Sequence, residues 1–202
     1  MKASIERRDT TEAGVRAWWR TIKWWPTLAG IAFGTFLASE LFFGGDVGSD
    51  LGPIVAASGL VYLVAAAVQK PSKAWPVFFA SVIIITPSKM GWVPIHATWL
   101  LLGVAAVFFI VGLARGVTRP FQSLPLQSIA MLVFGGIAAV VLYFDGVLGA
   151  YLVAAGLYAH AAWDAWHHWN DKVVSRSLAE FCFVLDALVA TAIVIATLQY
   201  AQ

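Results

Sequence analysis

The chain has 202 residues, of which 60% are apolar and only 12% charged, with a formal net charge of +2. Soluble domains carry about 45–50% apolar and about 25% charged residues, so this chain has too few charges to clothe a compact globule in a solvated surface. Composition therefore excludes a soluble enzyme, a disordered chain and a free-standing nucleic-acid-binding domain, and points to an all-α polytopic membrane protein.

The first 25 residues hold six basic residues and no apolar core, so no cleavable leader peptide is expected. Asp9 and Glu12 stand at the spacing of a helix-capping box. Val15, Trp18, Trp19, Ile22 and Trp25 share one helical face, while Arg16, Arg20 and Lys23 lie toward the other. Residues 1–25 thus read as a cytoplasmic amphipathic helix lying on an anionic leaflet, distinct from a transmembrane domain at 26–202.

Crossing the hydrocarbon takes roughly 17–25 helical residues. Apolar runs at 26–43, 53–68, 74–87, 92–114, 124–144, 147–166 and 177–197 give seven candidate spans, separated by Gly, Pro and Asp. The third is the shortest, and Lys73 and Lys89 at its ends must snorkel to reach the interfaces. With the N-terminus cytoplasmic, seven spans put 12 of the 13 basic residues on the inner side and only Lys89 outside. Fusing the third and fourth spans would bury Lys89 and move Arg115, Arg119, Lys172 and Arg176 outward. The positive-inside rule therefore predicts seven spans, N-terminus in and C-terminus out, in the inner (plasma) membrane. Trp75, Trp163, Trp166 and Trp169 fall at expected inner ends and Trp92 at an outer end, as an interfacial belt requires.

Two patterns bear on helix arrangement. Residues 55–60 and 153–157 are similar, as are Phe33-Gly34 and Phe134-Gly135, which suggests a 3+1+3 parallel repeat with the fourth span as linker. Gly30 and Gly34 form a GxxxG, and Ala150, Ala154, Ala161 and Ala165 recur along the sixth span. Both allow close backbone approach between helices.

Ionisable groups inside spans are few, and each is costly, about 2.5–3.5 kcal/mol for Asp on the insertion scale. They are Glu40, His96, His160, Asp164, Glu180 and Asp186, with His167 and His168 at a boundary. His160, Asp164, His167 and His168 lie at offsets 0, 4, 7 and 8 and share one helical stripe. The seventh span follows after a short loop and must run antiparallel beside the sixth. At 1.5 Å per residue, His160 and Asp186 each lie about 13 Å from the shared inner ends of these spans, and Asp164 and Cys182 about 7.5 Å.

Imidazole and carboxylate at such spacing suit Zn or Fe, with His160, Asp164 and Asp186 as ligands and Glu180 or His167 as the general acid or base. A proton or ion relay, a purely structural Asp–His network and a haem or pigment ligand are the other chemistries open to these residues. Glu40 and His96 form a second expected polar pair near the outer surface. No lysine lies inside a span, which argues against a retinal Schiff base. No phosphate-binding glycine loop, HExxH, CxxC or GxSxG motif occurs. The lone Cys182 allows no intrachain disulfide.

The sequence thus leads to a metal-dependent enzyme acting on a lipid-like or amphipathic substrate. A small transporter or proton-coupled carrier and a non-catalytic subunit of a membrane complex are the alternatives. The expected partners are membrane lipids, with a homo-oligomer or a membrane-complex partner as further options and no nucleic acid.

Overall fold

The computed structural model describes residues 23–43, 49–144 and 146–200. Nearly all of the amphipathic element expected at 10–25 lies outside the described residues. Regular structure among those described is entirely helical. The α-helices are α1 (Trp25–Phe43), α2 (Gly52–Val68), α3 (Ala74–Lys89), α4 (Ala97–Ala114), α5 (Leu124–Val141), α6 (Val147–Asn170) and α7 (Arg176–Tyr200), with 3-10 turns at Ser49–Leu51 and Pro71–Lys73.

Local chemistry sets the helix ends. α2 starts on a Gly-Pro pair, where the missing proline N–H costs nothing. It ends with Gln69 in the left-handed region (φ 54°), and Lys70 N–H donates back to Ala65 C=O at 3.2 Å, a Schellman-type stop. α4 starts five residues later than the expected span. Pro94 disfavours helix in the residue before it, and His96 caps the helix, its Nδ1 accepting from Thr98 N–H at 3.3 Å. α6 instead runs beyond its expected end at 166 and stops at Asp171, another left-handed residue (φ 50°).

α2 is the hub. It touches α3, α4, α5 and α6 and is buried around nearly its whole circumference. Its sequence permits this, being apolar on every side and rich in Ala and Gly. A Cβ on Gly59 would come within 3.0 Å of Met131 Sδ and 3.3 Å of Phe134 Cβ on α5, and one on Gly52 within 3.2 Å of the Ala138 carbonyl. α7 forms the second centre, with α6 on one side and α1 on the other. The GxxxG of α1 makes that contact: a Cβ on Gly30 would sit 2.7 Å from the Phe181 carbonyl oxygen, and one on Gly34 3.3 Å from Leu188 Cβ. The packing lends no support to a 3+1+3 repeat. α5 lies against α6, whereas its counterpart α1 makes its main contact with α7 and not with α2.

The outside of the bundle is apolar and the inside partly polar. Leu132, Ile83 and Ile110 are 76%, 70% and 62% exposed, while Gln127, His160, Asp164 and Asp186 are buried. By length and composition α4, α5 and α7 are able to cross a membrane, and α2 is apolar but shorter.

Candidate functional site

α6 and α7 are the most extensively packed pair, and their facing surfaces bring His160, Asp164 and Asp186 together. His160 Nδ1 lies 2.8 Å from Asp186 Oδ2 and 3.0 Å from Asp164 Oδ2. The i,i+4 spacing on one helix supplies the second contact and the antiparallel neighbour the first. All three residues are buried, and one donor atom from each falls within 4.8 Å of the others. The group can therefore hold a metal ion.

The polar accounting is incomplete without a cation or a further proton. A ring nitrogen carries at most one hydrogen, and here Nδ1 bonds Asp186. Asp164 Oδ2 and His160 Nε2 have no hydrogen-bond partner among the described residues. Asp164 Oδ1 is satisfied from the far side by the Tyr62 hydroxyl of α2 at 2.5 Å. Tyr62 itself lies edge-on to the His160 ring, 5.4 Å between centroids, and Phe134 closes the other side at 5.0 Å.

A cavity of about 650 Å³ leads to this cluster between α1, α2, α3 and α7. His160, Asp186, Tyr62 and Cys182 line its deep end. Asp164 stands behind them, off the cavity wall. Phe33 and Phe78 also line the cavity and pack with Phe181 and Trp75 as an aromatic cluster, with centroid separations of 5.1–6.3 Å. The other end is rimmed by Glu40, Asp50 and Lys89. The walls between are mainly apolar, so the space suits a molecule with a long apolar body.

The remaining expected residues fall elsewhere. Glu40 pairs with Lys89 at 2.7 Å, joining the ends of α1 and α3 across the cavity mouth. His96 is its own helix cap, so the structure replaces the expected Glu40–His96 pair with Glu40–Lys89. Glu180 accepts a hydrogen bond from Thr27 on α1; its 120° offset from Asp186 turns it toward that neighbour rather than the cluster. His167, two turns beyond His160, lies against Gln127 Nε2 at 3.1 Å and the Trp163 carbonyl at 2.9 Å. Neither Glu180 nor His167 lines the cavity.

Sequence reasoning missed Tyr62 and Gln127. Both carried a signal: a hydroxyl in the middle of an apolar run and an amide early in a span each need a buried partner.

Compared with known proteins, the chain matches no family model, no curated protein and no solved structure.

Proposed function

We propose that this is a seven-span integral membrane protein, N-terminus cytoplasmic, whose His160–Asp164–Asp186 cluster binds one divalent transition metal and forms the centre of a metal-dependent enzyme for an amphipathic substrate. The observation that carries this reading is one imidazole nitrogen within 3.0 Å of two carboxylate oxygens, only one of which it is able to serve by hydrogen bonding. An ion about 2.0–2.2 Å from each donor sets neighbouring donors roughly 2.8–3.6 Å apart, and the imidazole nitrogen lies at 2.8 and 3.0 Å from the two carboxylates. Charge supports it as well. Two carboxylates beside one imidazole leave net negative charge in a medium that penalises it, and a divalent cation offsets that charge.

Seven spans are favoured by the correspondence between the seven helices and the apolar runs, and by the apolar outer surface. The N-in orientation rests on the distribution of basic residues. In that orientation the cavity opens at the outer end, and the substrate reaches the cluster from there or sideways between α1 and α3, which face each other across the cavity.

A bound metal supplies Lewis acidity and lowers the pKa of a water ligand toward neutrality. His160 and Asp186 line the cavity, and Asp164 completes the set from behind. Tyr62 fixes the Asp164 carboxylate and is the hydroxyl that both touches the cluster and lines the cavity. It takes the proton-handling place that the sequence assigned to Glu180 or His167.

A proton-coupled carrier is the second reading. It is favoured by the continuous chain Tyr62–Asp164–His160–Asp186 at one end of the cavity. Melting of the purified protein with chelator, followed by readdition of Zn or Fe, separates the two. The enzyme reading expects a lower melting temperature with chelator and recovery on readdition. Melting indifferent to chelator in a metal-free preparation overturns it in favour of the carrier.

A further inference from the structure

A second cleft, of about 500 Å³, lies between α2, α3 and α4 on the opposite side of the α2–α3 pair from the first cavity. Its walls are apolar, formed by Leu60, Val64, Val77, Ile84, Val104 and Phe108 among others. At one end stand three cations: Lys70 and Lys73 from the α2–α3 connection, and Arg115 immediately after α4. No acidic residue lines the cleft among the described residues. This end is the one away from the Glu40–Lys89 mouth, since α3 begins beside Lys73 and ends at Lys89.

From this arrangement we infer that the cleft is a binding site for an anionic glycerophospholipid, with its phosphate held by Lys70, Lys73 and Arg115 and an acyl chain laid along the α2–α3–α4 trench. Charge complementarity picks the headgroup: three cations at one end of the cleft, with no acidic residue lining it among the described residues, attract a phosphate, and basic pockets between spans recognise such groups. Depth picks a lipid over a soluble phosphate. The eleven residues from Lys73 to Ile84 rise about 17 Å, close to half of the roughly 30 Å hydrocarbon thickness. The trench therefore extends from a leaflet's interface to about the bilayer midplane, the span of one leaflet's acyl chains. The helix ends place the cations at interfacial depth, where lysine and arginine stems reach along apolar surface while the charged heads meet the headgroup.

This site is independent of the metal cluster. It shares with the first cavity only the buried wall residue Ser81, whose hydroxyl donates to the Val77 carbonyl at 2.9 Å, and the two cavities have no charged residue in common.

The test is lipid titration of the full-length protein in neutral detergent, followed by native mass spectrometry and thermal melting. The probes are phosphatidylglycerol, phosphatidylcholine with the same acyl chains, and inorganic phosphate alone. Phosphatidylglycerol is expected to remain bound and raise the melting temperature, with the other two far weaker. At about 1 kcal/mol per basic residue near the surface, a single Lys70→Gln is expected to weaken binding about fivefold. The triple K70Q/K73Q/R115Q variant should weaken it about a hundredfold while keeping its lipid-free melting temperature. Val104→Trp, which fills the trench and leaves the cations, should also lower affinity. Equal binding of phosphatidylcholine, an equal shift from phosphate alone, or undiminished binding by the triple variant overturns the proposal. If the triple variant does not fold, the V104W result decides: unchanged binding there overturns it.

Discussion

Tyr62 reaches the cluster from a helix that carries no other ionisable side chain, and its hydroxyl satisfies the oxygen of Asp164 that faces away from His160. Tyr62→Phe removes a hydrogen bond to a carboxylate and leaves that oxygen bare, at a cost of about 1–3 kcal/mol. The expected result is a lower melting temperature with metal content retained, because the phenol orients a ligand and is not one. His160→Ala removes the shared donor and is expected to abolish metal binding; melting with and without chelator then becomes the same. The buried cluster was legible in the sequence because the apolar context isolates it: His160, Asp164 and Asp186 are costly in spans, and helical rise puts them at similar levels. The partners of Glu40 and Glu180 were not legible. Rise and angle give a side chain's height and direction but not which neighbouring helix stands there, and Lys89 and Thr27 come from helices distant in sequence.

Among the helices, α1 is held to α7 by two glycines rather than by large apolar side chains. Gly30→Ala forces a Cβ to within 2.7 Å of a backbone oxygen, which cannot swing aside as a side chain would, so the two helices must separate. A loss of about 1–3 kcal/mol is expected, read as a lower melting temperature. Gly103→Ala on α4, where a Cβ meets nothing within 4 Å, serves as the control and should leave melting unchanged. The GxxxG spacing announced a contact in the sequence, but it did not say which of the six other helices supplies the partner. The repeat gained no support from the packing for a related reason. Ala, Gly, Val and Leu recur wherever helices approach closely, so packing demands on α2 and α6 are enough to produce short matches such as 55–60 with 153–157. Helix starts were read well at α2, α3 and α5, where Pro stands nearby, and less well at α4, where a histidine caps the helix; α3 runs through Pro87 to Lys89, α5 stops at Val141, and α6 runs on to a left-handed aspartate.

For the molecule as a whole, polarity is inverted relative to a soluble protein, and the composition foreshadowed it. The apolar residues that exceed what a core needs are on the outside, among them Leu132 and Ile83. Most of the few acids and histidines within helices face inward or close a cavity mouth; His168 instead lies at the exposed end of α6, 3.2 Å from the Arg176 carbonyl. The cavity itself left no trace in the sequence, because it arises where α1 and α3 fail to meet above the Phe33–Phe78 contact. Cys182, the single cysteine of the chain, lines its deep end and reports on access. A small neutral methanethiosulfonate is expected to modify Cys182 in the folded protein. Lys89→Ala, which removes the half-exposed ion pair across the mouth, should speed the reaction by up to about fivefold, since such a pair contributes about 0–1 kcal/mol. Labelling that requires denaturant would show that the cavity does not admit small molecules.

Everything proposed for the cluster depends on His160, Asp164 and Asp186 holding a metal. X-ray absorption with elemental analysis of the purified, unchelated protein tests it most directly. The expected result is one Zn or Fe per chain in a shell of nitrogen and oxygen only, with the scattering signature of a single imidazole, and its loss in Asp186→Asn. A metal-free protein, or a shell containing sulfur from Cys182, would contradict it.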